Sequence, residues 1–76
     1  MENEKTFSER LKSLRKTNAL SQEQASEGIG ITRIGYQNYE AGRRKPTYDI
    51  LITLSDFYHV SIDYLVGRTD NPEINR

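Results

Sequence analysis

Five hydroxyl residues divide this chain at intervals too short for any long element: Thr6, Ser21, Thr32, Thr47 and Ser61. Each stands just before a stretch that reads as helical, where a Ser or Thr oxygen accepts a hydrogen bond from a first-turn N–H. Thr6 with Glu9 and Ser21 with Gln24 have the spacing of a capping box. Gly30, Gly42 and Gly67 supply the matching stops. Between these marks, Phe7, Leu11 and Leu14 fall on one helical face, and Ile50, Leu51, Leu54, Phe57 and Tyr58 make a wider apolar stripe. The pattern predicts five short helices. The first runs from Thr6 to about Asn18, the second from Ser21 to about Gly28, and the third from Thr32 to Gly42. The fourth runs from Thr47 to a turn at His59-Val60, and the last is "IDYLV" after Ser61. No strand pattern of useful length interrupts them, so the expected fold is all-α, a compact five-helix bundle. Residues 68–76 read as a frayed tail.

The first helix offers only three large apolar residues, so the core must be shared among all five. With 76 residues the core is thin, and without cysteine no disulfide or thiolate metal site supports it. No apolar run approaches the roughly 18 residues that span a membrane, and "MENEKT" is too polar for a signal peptide. A cytoplasmic location with no membrane partner is therefore expected. The net charge is zero but unevenly spread. Residues 32–48 carry a net +3 through Arg33, Arg43, Arg44 and Lys45, while residues 49–76 carry a net −3. A local basic patch can steer an anion even on a neutral chain, although most charge clusters are only solvated surface.

Function comes into view where helices two and three meet. "IGIT" (29–32) is the tight connection of a helix-turn-helix, which presents its second helix outward. On a helical wheel Gly35, Tyr36 and Tyr39 point one way, and Arg33, Ile34, Gln37, Asn38 and Ala41 the other. The inner face anchors, and Gly35 is expected to let the helix approach its neighbour. The outer face has the chemistry of a DNA reader. Arg33 can donate twice to guanine, Gln37 or Asn38 can make the paired contact to adenine, and Ile34 can lie against a thymine methyl. Gln22, whose backbone N–H opens the second helix, can hold a phosphate. Arg43, Arg44 and Lys45 can meet the sugar–phosphate backbone.

Five separated motifs now agree. "LSQE" (20–23), "GIT" (30–32), "YEAGRRKP" (39–46), "VSIDYL" (60–65) and "GRTD" (67–70) occur in the order and spacing of the lambda-repressor-like, Cro/C1-type helix-turn-helix family, which this chain resembles over nearly its whole length. The resemblance implies one domain over residues 1–70, with the helix-turn-helix at 22–41 and a tail at 71–76. It also implies a sequence-specific transcription regulator, in most cases a repressor, bound to a near-palindromic operator as a dimer. The family's base-reading positions fall on Arg33, Ile34, Gln37 and Asn38. Its backbone contacts fall on Gln22, Thr32, Arg43, Arg44 and Lys45. Its structural acid falls on Glu40, paired with Arg15, and Glu40 is expected to orient Arg43 as well. The dimer contact is expected near Tyr48, Val60, Ile62 and Tyr64. No cofactor or metal is implied.

The chain departs from the family at a few positions. Ala25 and Ser26 are small and Tyr36 is large, which implies compensation between helices two and three. Gly28 weakens helix two, and His59 stands where the family has glycine. Other functions find less support. Ser55, Asp56 and His59 lie within one turn, but a hydrolase also needs an oxyanion site and a pocket, so the chain is not expected to be an enzyme. Asp63 and Asp70 have no metal-ligand spacing. Most of the aromatic residues fall on core stripes, which argues against base stacking on single strands. A second class of function remains open, a protein-binding antitoxin or adaptor whose partner docks on the acidic C-terminal face.

Overall fold

The computed structural model describes residues 6–74. They form α1 (Phe7–Thr17), α2 (Gln22–Ile29), α3 (Arg33–Glu40), α4 (Tyr48–Tyr58) and α5 (Ile62–Leu65), with no strand among the described residues. All five hydroxyl residues are N-caps, and each side chain accepts from the third N–H of its helix. Both capping boxes are closed. Gly30 ends α2 at φ 90°, a left-handed conformation that glycine adopts without steric cost. His59 takes the equivalent position after α4 at φ 57°. Its backbone N–H bonds Ser55 O, so the histidine is a helix terminator.

α2 packs on α3 and α4, while α1 packs on α3 and α5. The shared core is built from Leu11, Ala25, Ile29, Tyr36, Tyr39, Leu54, Tyr58, Val60 and Leu65, drawn from all five helices and the α4–α5 turn. The ring of Tyr36 is fully buried, and its hydroxyl meets that of Tyr58 at 2.7 Å. Two buried polar tips thus satisfy each other. Ala25 is also fully buried, in keeping with the expected exchange of bulk between α2 and α3. Ser26 is buried and donates to its own helix at Glu23 O.

Two expectations fail. A Cβ on Gly35 would meet only Thr32 Oγ1, the cap of its own helix, so Gly35 does not mediate helix approach. Gly28 does: a Cβ there would lie 2.8 Å from Phe57 Cζ and closer still to Cε1. The glycine of α2 makes room for the aromatic ring of α4. Nor does the expected tail fray over its described part, residues 68–74; residues 75–76 lie outside the described residues. Ser61 N donates to Pro72 O at 3.0 Å, and Arg10 Nη2 donates to Asp70 at 2.5 Å. Arg10 is itself buried, with its guanidinium 4.2 Å over the ring of Tyr64. Asp70 is almost wholly exposed, so its charge is screened and the ion pair adds little, while the cation–π contact with Tyr64 holds Arg10 against α5.

Candidate nucleic-acid interface

The turn between α2 and α3 is closed by Gly30 N and Ile31 N, both donating to Ser26 O. Tyr36 and Tyr39 then hold the inner side of α3 in the core, and Phe7 of α1 meets the ring of Tyr39 edge-on at 6.4 Å. The opposite side is left outward. Arg33 is exposed, and Ile34 is 65% exposed, open to a surface that meets α3. Gln37 and Asn38 are half-buried.

The half-burial of Gln37 has a specific cause. Arg15 grips Glu40 through two bonds, Nε to Oε2 at 2.6 Å and Nη2 to Oε1 at 3.1 Å, and it donates from Nη1 to Leu20 O. The Glu40 side chain is only 3% exposed. Burial alone pushes its carboxyl up, but the hydrogen bonds from Arg15 and Gln22 outweigh that and hold it below the usual carboxylate range. The same bond to Glu40 raises the Arg15 guanidinium further. Glu40 therefore stays ionised and can only accept. That fixes Gln22: its Nε2 donates to Glu40 Oε1 at 3.1 Å, which turns its Oε1 outward to accept from Gln37 Nε2 at 3.0 Å. Charge at the base of α3 thus sets the amide orientation of Gln37 on its face. Gln37 keeps one N–H and its carbonyl oxygen for the paired donor–acceptor pattern of adenine. The link from Gln22 to Gln37 was not foreseen from the sequence. With its side chain committed, Gln22 offers a phosphate its backbone N–H, one of the unpaired first-turn amides of α2.

Arg43 corrects a second expectation. It does not join Glu40; its Nε donates to Asn38 Oδ1 at 3.1 Å, and its backbone N–H donates to Asn38 O. Arg44 and Lys45 follow it exposed in the loop. Thr32 lies exposed at the start of α3, its oxygen accepting from Gly35 N and its proton free for another partner. Arg33, Ile34, Gln37, Asn38 and the 43–45 loop therefore lie on and beside one outward helix.

The residues expected at a dimer contact separate. Tyr48 is 71% exposed, and Ile62 and Tyr64 are half-buried. Val60 is in the core and has no side chain to offer a partner. Val66, at the end of the 60–66 stretch expected at that contact, is exposed, as is Ile52, which the sequence did not mark. The serine of the hydrolase-like trio donates to its own helix at Ile52 O, not to His59. On the acidic side, Asp56, Asp63 and Glu73 rim two adjoining depressions that share Ser61, Asp63 and Ile74. No helix among the described residues is long and apolar enough to cross a membrane.

A tight turn, an anchored first helix and an outward second helix define a helix-turn-helix unit on an all-helical bundle. The chain belongs to the helix-turn-helix family, of Cro/C1 type, whose pattern it matches over residues 11–65. It is 45% identical over 67 residues to the uncharacterized HTH-type transcriptional regulator YobD of Bacillus subtilis, covering 88% of this chain and 60% of that protein. It is 40% identical over 60 residues to the cryptic phage CTXphi transcriptional repressor RstR of Vibrio cholerae, covering 79% of this chain and 54% of that protein. The chain thus spans little more than half the length of these relatives. Its fold is similar to that of the P22 c2 repressor protein, solved with a synthetic operator, at a TM-score of 0.80 and 23% identity over 86% of this chain and 98% of that one.

Proposed function

We propose that this chain is a sequence-specific double-stranded DNA-binding regulator, acting in the cytoplasm as a transcriptional repressor and not as an enzyme. α3 enters the major groove and presents Arg33, Ile34, Gln37 and Asn38 to base edges. Gln22, Thr32, Arg43, Arg44 and Lys45 meet the backbone on either side. The observation that carries this reading is the bonded chain Arg15–Glu40–Gln22–Gln37, which sets the amide of an outward side chain in advance. A solvated helix face has no need of such a device. The repressor character of RstR and the operator bound to the P22 protein support the same reading.

Base contacts from one short helix are too few to find a site among a genome of competitors. The chain therefore acts as a dimer on two half-sites about one helical turn, roughly 34 Å, apart. Exposed Tyr48, Ile52 and Val66, together with Ile62 and Tyr64, supply its apolar contact. A protein partner on the acidic C-terminal face is the second reading, supported by the two depressions rimmed by Asp56, Asp63 and Glu73.

The test is fluorescence anisotropy with DNA from immediately upstream of the protein's own gene, beside a scrambled duplex and over a salt series. Affinity for the upstream duplex roughly 10³-fold or more above the scramble supports the regulator. Equal, salt-sensitive binding to both counts against α3 as the reading element, and no binding at low salt favours the protein-binding reading.

A further inference from the structure

We propose that a notch between α1 and α3 takes one DNA phosphodiester, clasped by Lys12 and Arg43, and that Arg43 relays this backbone contact to Asn38. The inference rests on the DNA-binding reading above and adds a residue from α1, an element to which that reading gives no DNA contact.

The notch has a volume of about 250 Å³ and is lined by Lys12, Gln22, Gln37, Glu40, Ala41 and Arg43. Its one acid is Glu40, which is buried and already engaged by Arg15 and Gln22. What faces solvent is two cations, from α1 and from the loop after α3, above the carboxamides of Gln22 and Gln37. Lys12 is exposed, and the ion pairs recorded among the described residues are Arg10–Asp70 and Arg15–Glu40, so its ammonium is uncommitted. Two cations with no acid partner beside the proposed reading helix, only one of them hydrogen-bonded, through Nε alone, are suited to a phosphate oxygen.

Arg43 gives the notch a second consequence. Its Nε is bonded to Asn38 Oδ1, which leaves the four N–H groups of Nη1 and Nη2 for an anion. A phosphate held there fixes the guanidinium, and the guanidinium fixes Asn38. With Oδ1 turned toward Arg43, Asn38 presents the N–H groups of Nδ2 on its other side, which favours base acceptors such as guanine O6 and N7 or thymine O4. Gln37, whose carbonyl oxygen is free, keeps the adenine contact. The guanidinium fork matters here as well as the charge, because an ammonium has no geometry that serves both partners.

The experiment measures affinity against salt for the specific duplex, its single-base-pair variants and a scramble. Lys12→Ala removes an exposed side chain and is expected to flatten the salt slope by about one unit on every duplex, leaving base preference unchanged. Arg43→Lys keeps the charge and is expected to keep the slope, but to lose roughly fivefold or more of the preference at one base pair. Arg43→Ala is expected to lose both. A Lys12→Ala slope equal to that of the unmodified chain overturns the clasp, and an Arg43→Lys preference profile equal to it overturns the relay. If the unmodified chain binds no duplex, the DNA-binding reading itself falls, a result distinct from either.

Discussion

Glu40→Gln tests how the site is built. The substitution keeps the shape of the side chain and removes its charge. The Arg15 partner is only 12% exposed, and breaking a buried pair by deleting one member costs about 3–5 kcal/mol. The amide oxygen of the new side chain still accepts one bond, while its N–H₂ meets the donors of Arg15 or Gln22, so the loss falls near the lower end, about 3 kcal/mol. For a domain with roughly 0.05–0.15 kcal/mol of stability per residue, that is a large share of the total. Urea denaturation followed by circular dichroism reads it directly: with a slope of about 1 kcal/mol per molar, the midpoint falls by about 3 M. The pH dependence supplies an independent check. The folded Glu40 carboxyl lies below its ordinary value of 4.5. Its contribution is therefore complete above that value and is lost as pH falls through the lower folded value. The gap between the parent and Glu40→Gln should close on acidification. A loss under about 1 kcal/mol, the range of exposed pairs, or a gap that is constant with pH would refute the reasoning.

Three further outcomes are expected. Tyr58→Phe removes the bond between the buried Tyr36 and Tyr58 hydroxyls but leaves Tyr36 the Glu40 carboxylate as a partner, and should cost about 0.5–1.5 kcal/mol in the same urea assay. Gly28→Ala sets a helix-propensity gain of about 1 kcal/mol against the displacement of Phe57, a cost of about 1–3 kcal/mol; melting should show no gain, and a stabilised variant would mean that the ring moves aside freely. Arg33→Ala should cost about 1–3 kcal/mol on the specific duplex and relax one base pair, whereas Arg44→Ala should weaken every duplex alike and flatten the salt slope by about one unit, both read by anisotropy.

The helices were legible because their ends are local chemistry. A hydroxyl and the N–H three residues on need no other part of the chain, so Thr6, Ser21, Thr32, Thr47 and Ser61 announce themselves. The tyrosines of α3 were legible by spacing alone. What a wheel cannot give is which neighbour lies opposite. Gly35 and Gly28 look alike in sequence, and only the crossing of α2 with α4 makes Gly28 the close approach. Val60 lies beyond the α4 pattern in a turn, where periodicity says nothing about burial. The Arg10–Asp70 tie joins positions sixty apart, and no local signal marks it. The Arg15–Glu40 pair came from resemblance, but its reach through Gln22 to Gln37 depends on amide orientations that an ionised acid imposes in three dimensions. The same pair held a clue to Lys12: Arg15 meeting the end of α3 brings the preceding turn of α1 beside it.

The linked amides also bear on entropy. A free glutamine samples many rotamers, and ordering such a side chain at an interface costs about 0.5–1.5 kcal/mol. Gln22 and Gln37 are already hydrogen-bonded in the unbound chain, so folding absorbs that loss and, on the proposed function, DNA binding would not. The advantage does not depend on which base lies opposite. Its converse does: a wrong base cannot be accommodated by turning Gln37 without also breaking its bond to Gln22. On the proposed function, rigidity at this position would raise affinity for every sequence a little and penalise mismatches more, so discrimination would be a property of the buried acid as much as of the proposed reader.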